Sequence, residues 1–275
     1  MGLKATLQPL VRTGIKTVAG AVDRVLPAAD GVVVLIYHRI GAGCGGQMDL
    51  TPAAFDEQLS WLAGNRNVIT LDEAADAIER GEPATGRDVV LTFDDGTTDW
   101  VEHALPLLDR HGLPATFYVA TDFIERQVPF PADGPPLSWD GLRELASSEL
   151  VTIGSHTHTH ALLDRLSDTE IDSELDTCQQ LLQDRLDVDA RHFAYPKAVA
   201  GNPAAERAVR SRFRTAVLAG TRPNPPGTDL HRLHRSPIQP SDDTVWFERK
   251  ATGGLHAEDD LRRAINRIRY RGATS

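Results

Sequence analysis

The stretch VVLTFDDGTTDW, residues 89–100, runs an apolar segment straight into three carboxylates, Asp94, Asp95 and Asp99. Adjacent carboxylates repel one another and resist desolvation, so a pair at the end of a buried strand needs a compensating charge. An Asp-Gly turn before a helix N-terminus would account for the letters without any chemistry. A second stretch changes that balance. Residues 155–160 read SHTHTH, with histidines at alternate positions. His156 and His160 stand four apart, a spacing that puts two imidazoles on one helical face or one turn. Two imidazoles and a carboxylate make a partial shell for a divalent cation and leave positions open for water. Such a cation is the missing positive charge: one aspartate ligates it while the other stays free as a base. His158 falls between the two and points away, toward an outer or surface position.

The elements that must position these groups are legible as alternating runs. Strand-like segments are VVVLIY (32–37), VITL (68–71), VVLTF (89–93), ATFYVA (115–120), VTIGS (151–155), HFAYP (192–196), TAVLA (215–219) and RLHRSPI (232–238). Several are continuous rather than alternating, as in parallel strands covered on both faces. Helical patterns lie between them. Thr51 followed by Pro52 reads as a cap and first turn, and Ser167 with Glu170 reads as a capping box. Residues 126–139, rich in proline, read as a loop. Repeated β-α units imply a parallel sheet, closed into a barrel or doubly wound, within one domain over residues 31–275. In both architectures chemistry sits at the C-terminal strand ends. Those ends hold His38, Asp94 with Asp95, His156 with His160, Tyr195 with Pro196, and Arg235.

TFDDG, HTHTH and FAYP in this order resemble the polysaccharide deacetylases, also called NodB-homology domains or the fourth carbohydrate esterase family. The resemblance runs from about Val32 to Ile238. It implies a distorted, TIM-like (β/α) barrel of seven to eight strands, and hydrolysis of N-acetyl, sometimes O-acetyl, groups on sugars. By the same resemblance Asp94 is the general base, and Asp95, His156 and His160 are the metal ligands. The metal is zinc by default, with cobalt or nickel as alternatives. The family's R-x-F-R-x-P motif is met by Arg191, Phe193 and Pro196, with Ala194 in place of its second arginine. Tyr195 stands where a backbone N–H helps to hold an oxyanion. Many members carry the acid in a C-terminal L-x-x-H motif, for which His231 and His234 are available. LIYHRI, residues 35–40, fits instead the layout in which an N-terminal strand supplies the acid, so His38 is the candidate. There Arg235 orients Asp94 in place of the missing arginine.

Composition narrows the partners. The 275 residues carry a formal net charge of −10, with 41% hydrophobic and 25% charged residues. That is an ordinary globular balance, and it excludes a phosphate-backbone partner, which calls for a basic patch. Cys44 and Cys178 make no disulfide framework and no thiolate metal site. No run approaches the roughly 20 apolar residues that span a bilayer. The sequence pattern predicts an N-terminal amphipathic helical segment over residues 1–30. Its first 22 residues carry Lys4, Arg12 and Lys16 and no acid, a pattern open to docking on the protein itself or to peripheral membrane contact through residues 1–26. The expected location is cytoplasmic or at the membrane surface. The substrate class is an acetylated sugar or polysaccharide; oligomeric state is not readable. Rival functions are a non-heme iron oxygenase, a hydrolase of other non-peptide C–N bonds, and a non-catalytic glycan-binding protein.

Overall fold

Continuous apolar runs with helical patterns between them can bury both faces only as parallel strands wrapped by helices. The computed structural model, which describes residues 30–82, 86–131 and 134–255, has that architecture. The amphipathic segment 1–26 lies outside the described residues. In chain order come β1 (Val33–Tyr37), the short pair β2 (Arg39–Ile40) and β3 (Asp49–Leu50), α1 (Pro52–Asn65), β4 (Asn67–Val68) and α2 (Leu71–Glu79). Then follow β5 (Asp88–Asp95), a π-turn over Trp100–Ala104 leading into α3 (Leu105–His111), β6 (Ala115–Val119), α4 (Thr121–Arg126) and α5 (Trp139–Ala146). The last third holds β7 (Val151–Ser155), α6 (Asp168–Leu186), β8 (His192–Ala194), α7 (Pro203–Arg212), β9 (Thr215–Ala219), β10 (Leu233–Pro237) and α8 (Thr244–Ala251).

Seven of these strands close a parallel barrel in the order β1-β10-β9-β8-β7-β6-β5, with β5 returning to β1. The barrel is distorted at two places. β4 only adds to the start of β5, pairing Asn67 with Asp88 and Val68 with Val89. The β7–β8 seam is short, with the one registered pair Ser155 and Phe193. The expected VITL strand therefore shrinks. Its end is taken by a capping box in which Thr70 accepts from the Glu73 N–H and Glu73 bonds back, so Leu71 already begins α2. The Thr51 cap and the Ser167–Glu170 box form as read from the sequence. Among the described residues of 127–138 none is helical.

Strand alternation sorts side chains between the barrel interior and the helical layer. Val34, Val90, Tyr118, Ala194, Val217 and Leu233 share one inner cluster with Leu71, Ala74, Ala75 and Ile78 of α2, which packs against this inner row. Leu35, Leu91, Phe93 and Phe117 belong instead to the cluster under the outer helices. The same parity carries Thr92, Asp94, His156 and Arg235 inward, above the apolar layer. Gly154, in register with Tyr118, shares that face, and a Cβ there would lie 2.6 Å from the Tyr118 ring and 2.9 Å from the His192 carbonyl. Close approach at the seam therefore requires glycine.

Candidate metal and catalytic centre

By alternation Asp95 should follow Phe93 outward. Its backbone turns instead through φ 94°, with Gly96 following at φ 121°. A non-glycine residue held there costs of order 1–3 kcal/mol and persists only where its surroundings over-determine it. The turn is what lets two successive carboxylates reach one site.

They meet different partners. Asp94 accepts a two-pronged hydrogen bond from Arg235, at 2.6 and 2.7 Å, with both side chains buried. Arg235 also donates to Thr92 Oγ1 at 3.0 Å, and that hydroxyl donates to the Leu35 carbonyl at 2.7 Å. The guanidinium lies 5.3 Å from the centre of the Tyr118 ring. Burial pushes the Asp94 carboxyl up, but Arg235 and His156 outweigh it and hold the pKa down to about 2. Arg235 lies within β10 rather than past its end, pointing into the barrel.

Asp95 faces the histidines. Its Oδ1 is 3.9 Å from His156 Nε2 and 3.7 Å from His160 Nε2. The candidate ligand atoms of Asp95, His156 and His160 all lie within 4.8 Å of one another. Asp94 Oδ2 stands 4.0 Å from His156 Nε2. The His156 Nδ1 sits 2.8 Å from the Ala194 carbonyl. A carbonyl only accepts, so Nδ1 carries the hydrogen and Nε2 presents a lone pair. Burial pushes both imidazoles down to about 4, so both are neutral at physiological pH. Two neutral nitrogens and a carboxylate oxygen thus face each other across distances too long for hydrogen bonds. That donor set fits a divalent cation of the zinc type.

The histidines converge on a turn, not on a helical face. β7 ends at Ser155, and residues 156–160 are irregular, with Thr157 at φ 66° and His160 at φ 62°. His158 points away, as expected, and pairs its Nδ1 with Thr121 Oγ1 at 2.9 Å.

His38 continues the inner parity of β1 and is close enough to bear electrostatically on Asp94 and His160. Its position is braced from the TFDDGTTDW segment. The Trp100 indole donates to the His38 carbonyl at 2.7 Å, and the Ile40 N–H donates to Asp99 Oδ2 at 2.6 Å. Asp99, the third carboxylate, is therefore a structural brace that sequence reasoning did not identify. The rival histidines sit elsewhere. His231 pairs Nε2 with the carbonyl of Phe213, ahead of β9 and so at the N-terminal end of the barrel. His234 has the outward parity of β10.

Tyr195 departs from expectation. Its N–H donates to the Val217 carbonyl at 3.2 Å, prolonging the β8–β9 ladder, and its ring packs in the outer cluster edge-on to Phe193. The oxyanion donor expected there is thus already engaged. Trp100 is fully buried, so it offers no face to a sugar.

The family described as polysaccharide deacetylase matches residues 81–215, a span that holds Asp94, Asp95, His156, His160 and Tyr195 but neither His38 nor Arg235. YxkH of Bacillus subtilis (strain 168), a polysaccharide deacetylase by name, is 24% identical over 210 residues, covering 75% of this chain and 71% of its own. The poly-β-1,6-N-acetyl-D-glucosamine N-deacetylase of Escherichia coli (strain K12) is 29% identical over 142 residues. That match spans 46% of this chain and only 21% of the E. coli protein. Among solved structures, IcaB from Ammonifex degensii superposes with a TM-score of 0.71 at 23% identity, covering 84% of this chain and 98% of that one. The Streptococcus pyogenes deacetylase PplD, solved with acetate, gives 0.70 at 21% identity, covering 80% and 98%. At those identities the likeness is one of fold.

Proposed function

We propose, for a chain that carries a polysaccharide deacetylase domain, a metal-dependent hydrolysis that removes N-acetyl groups, or O-acetyl groups by the same chemistry, from an acetylated sugar or polysaccharide. The observation that carries this reading is the convergence of Asp95, His156 and His160 with Asp94 beside them. A divalent cation held by those three side chains, zinc by its donor preference and cobalt or nickel as alternatives, supplies a Lewis acid and lowers the pKa of water.

The chain's own groups do the rest. Asp94 is ionised at neutral pH and takes a proton from the attacking water, whose oxygen bonds to the acetyl carbon. A carboxylate held near 2 is a weak base on its own, so its placement matters more than its basicity. Arg235 supplies that placement by gripping both carboxylate oxygens. The carbon–nitrogen bond then breaks and the leaving amine needs a proton, which His38 provides. The Tyr195 N–H can join the oxyanion only by releasing the Val217 carbonyl.

The test is acetate release from N-acetylglucosamine oligomers by zinc-loaded protein, with and without a chelator. The E. coli relative's name makes β-1,6-linked oligomers the first probe. Chelator-sensitive release is expected. Zinc-loaded protein that releases nothing from any acylated sugar would leave a glycan-binding protein instead.

A further inference from the structure

His156 and His160 are held to the barrel in different ways. His156 is fixed by the sheet itself: its N–H donates to the Val119 carbonyl at 2.9 Å and its ring to the Ala194 carbonyl at 2.8 Å. His160 has no such ladder. It hangs at the far end of residues 157–159, a turn entered at φ 66° on Thr157 and left at φ 62° on His160. Neither residue is glycine, so the turn is not one that the local sequence adopts unaided.

One carboxylate from a different element supports it. Glu174, on α6, accepts hydrogen bonds from the His158 N–H at 3.0 Å, the Thr159 N–H at 2.8 Å and the Thr159 hydroxyl at 2.6 Å. Three donors from two consecutive residues therefore converge on one anionic group. The opposite side of the turn is tied to α4, where the Asp122 N–H donates to the His158 carbonyl at 2.9 Å and Thr121 meets the His158 ring. His158, the histidine that does not face the site, is thus the peg by which the turn is fixed. Charge-assisted bonds to backbone N–H groups are short and strong, and a carboxylate is well suited to gather adjacent donors.

We propose that Glu174 is the positioning residue for the metal centre: through the 158–159 backbone it sets where His160 stands relative to Asp95 and His156, and so sets metal affinity. Its hydrogen bonds go to His158 and Thr159 and not to the candidate ligand atoms. The proposal rests on Asp95, His156 and His160 being the ligands. Groups that hold metal ligands in place commonly change affinity about 10- to 100-fold when lost.

The experiment is calorimetric titration of the full-length apo protein with Zn2+, comparing wild type, Glu174→Ala, Glu174→Gln, Thr159→Val and His156→Ala. Circular dichroism at the titration temperature reports on folding. Glu174→Ala is expected to weaken Zn2+ binding about 10- to 100-fold while the apo fold is retained. Glu174→Gln, which keeps one acceptor oxygen, should recover part of the loss. Thr159→Val, which removes only the 2.6 Å bond, should lose a few-fold, and it carries the test if Glu174→Ala does not fold. Absorption of the Co2+-loaded protein supplies a second readout, because a displaced imidazole changes the ligand field and a merely less stable fold does not. Zn2+ binding by a folded Glu174→Ala protein within twofold of wild type, with an unchanged Co2+ spectrum, would overturn the proposal. Unchanged binding in His156→Ala would instead remove the ligand assignment, and the role of Glu174 with it.

Discussion

Asp94 and Asp95 are neighbours in the chain with opposite surroundings, and the site depends on that difference. Asp94 is locked to Arg235, while Asp95 turns toward two neutral imidazoles. Asp94→Asn should therefore retain zinc yet lose about 10²- to 10⁴-fold in turnover, whereas His156→Ala should lose both; metal analysis beside acetate release checks the pair. Near-normal turnover in Asp94→Asn would end its assignment as base. Removing Arg235 leaves a buried carboxylate without its partner. Breaking a buried pair costs about 3–5 kcal/mol, so Arg235→Met should lower the urea midpoint steeply, and an unchanged midpoint would show that the pair contributes little. The proximity of the four candidate residues Asp94, Asp95, His156 and His160 was legible because each motif is short and its chemistry odd for a surface loop. Arg235 was harder to place, since 141 residues separate it from Asp94 and only a closed barrel brings β10 beside the inner face of β5. Asp99 was not legible as a brace, because nothing in its neighbours reveals that it binds the Ile40 N–H.

The C-terminal end of β5 holds the proposed base and a metal-ligand candidate, and Asp99 and Trp100, just beyond it, hold the strand end that bears His38. Trp100→Phe keeps an aromatic ring in the core but deletes the bond to the His38 carbonyl. A single hydrogen bond of about 1 kcal/mol predicts a roughly three- to tenfold fall in kcat with zinc affinity unchanged, and equal kcat would remove the brace from the account. At the opposite end of the barrel, His192 at the start of β8 is buried, pairs with Thr215 Oγ1 at 2.9 Å and faces Asp72 of α2 at 3.5 Å, with Arg191 and Arg214 nearby. Burial pushes its pKa down to about 4, against attraction from Asp72. The unfolded chain binds this proton near pH 6.5 and the native state only near 4. Stability is therefore complete above about pH 6.5 and falls as pH drops toward 4, by a few kcal/mol at most. Denaturation curves at several pH values should show a smaller fall for His192→Asn; parallel curves would contradict the assignment. Continuous Val/Ile/Leu runs made the barrel strands readable, whereas the early end of the VITL strand went unseen because the Thr70–Glu73 capping box competes with it.

At the scale of the whole molecule, the barrel brings together Arg235 of β10 and residues at the ends of β1, β5 and β7, and no helix among the described residues is long and apolar enough to cross a membrane. Residues 1–26, basic and amphipathic in sequence, are outside that description; their deletion should release the protein from membrane fractions if they lie on a lipid surface, and unchanged partitioning would remove that idea. A bound ion stabilises the folded state by mass action, about 2.7 kcal/mol at a hundredfold excess over Kd, so chelation should lower the melting temperature together with activity. The proposed function depends on Asp95, His156 and His160 sharing one metal ion. Anomalous diffraction at the zinc edge from a zinc-loaded crystal tests it most directly. One strong peak is expected about 2.0–2.2 Å from an Asp95 carboxylate oxygen and from Nε2 of both His156 and His160, with Asp94 still clasped by Arg235. A peak held by other residues, or none at this site, would contradict it.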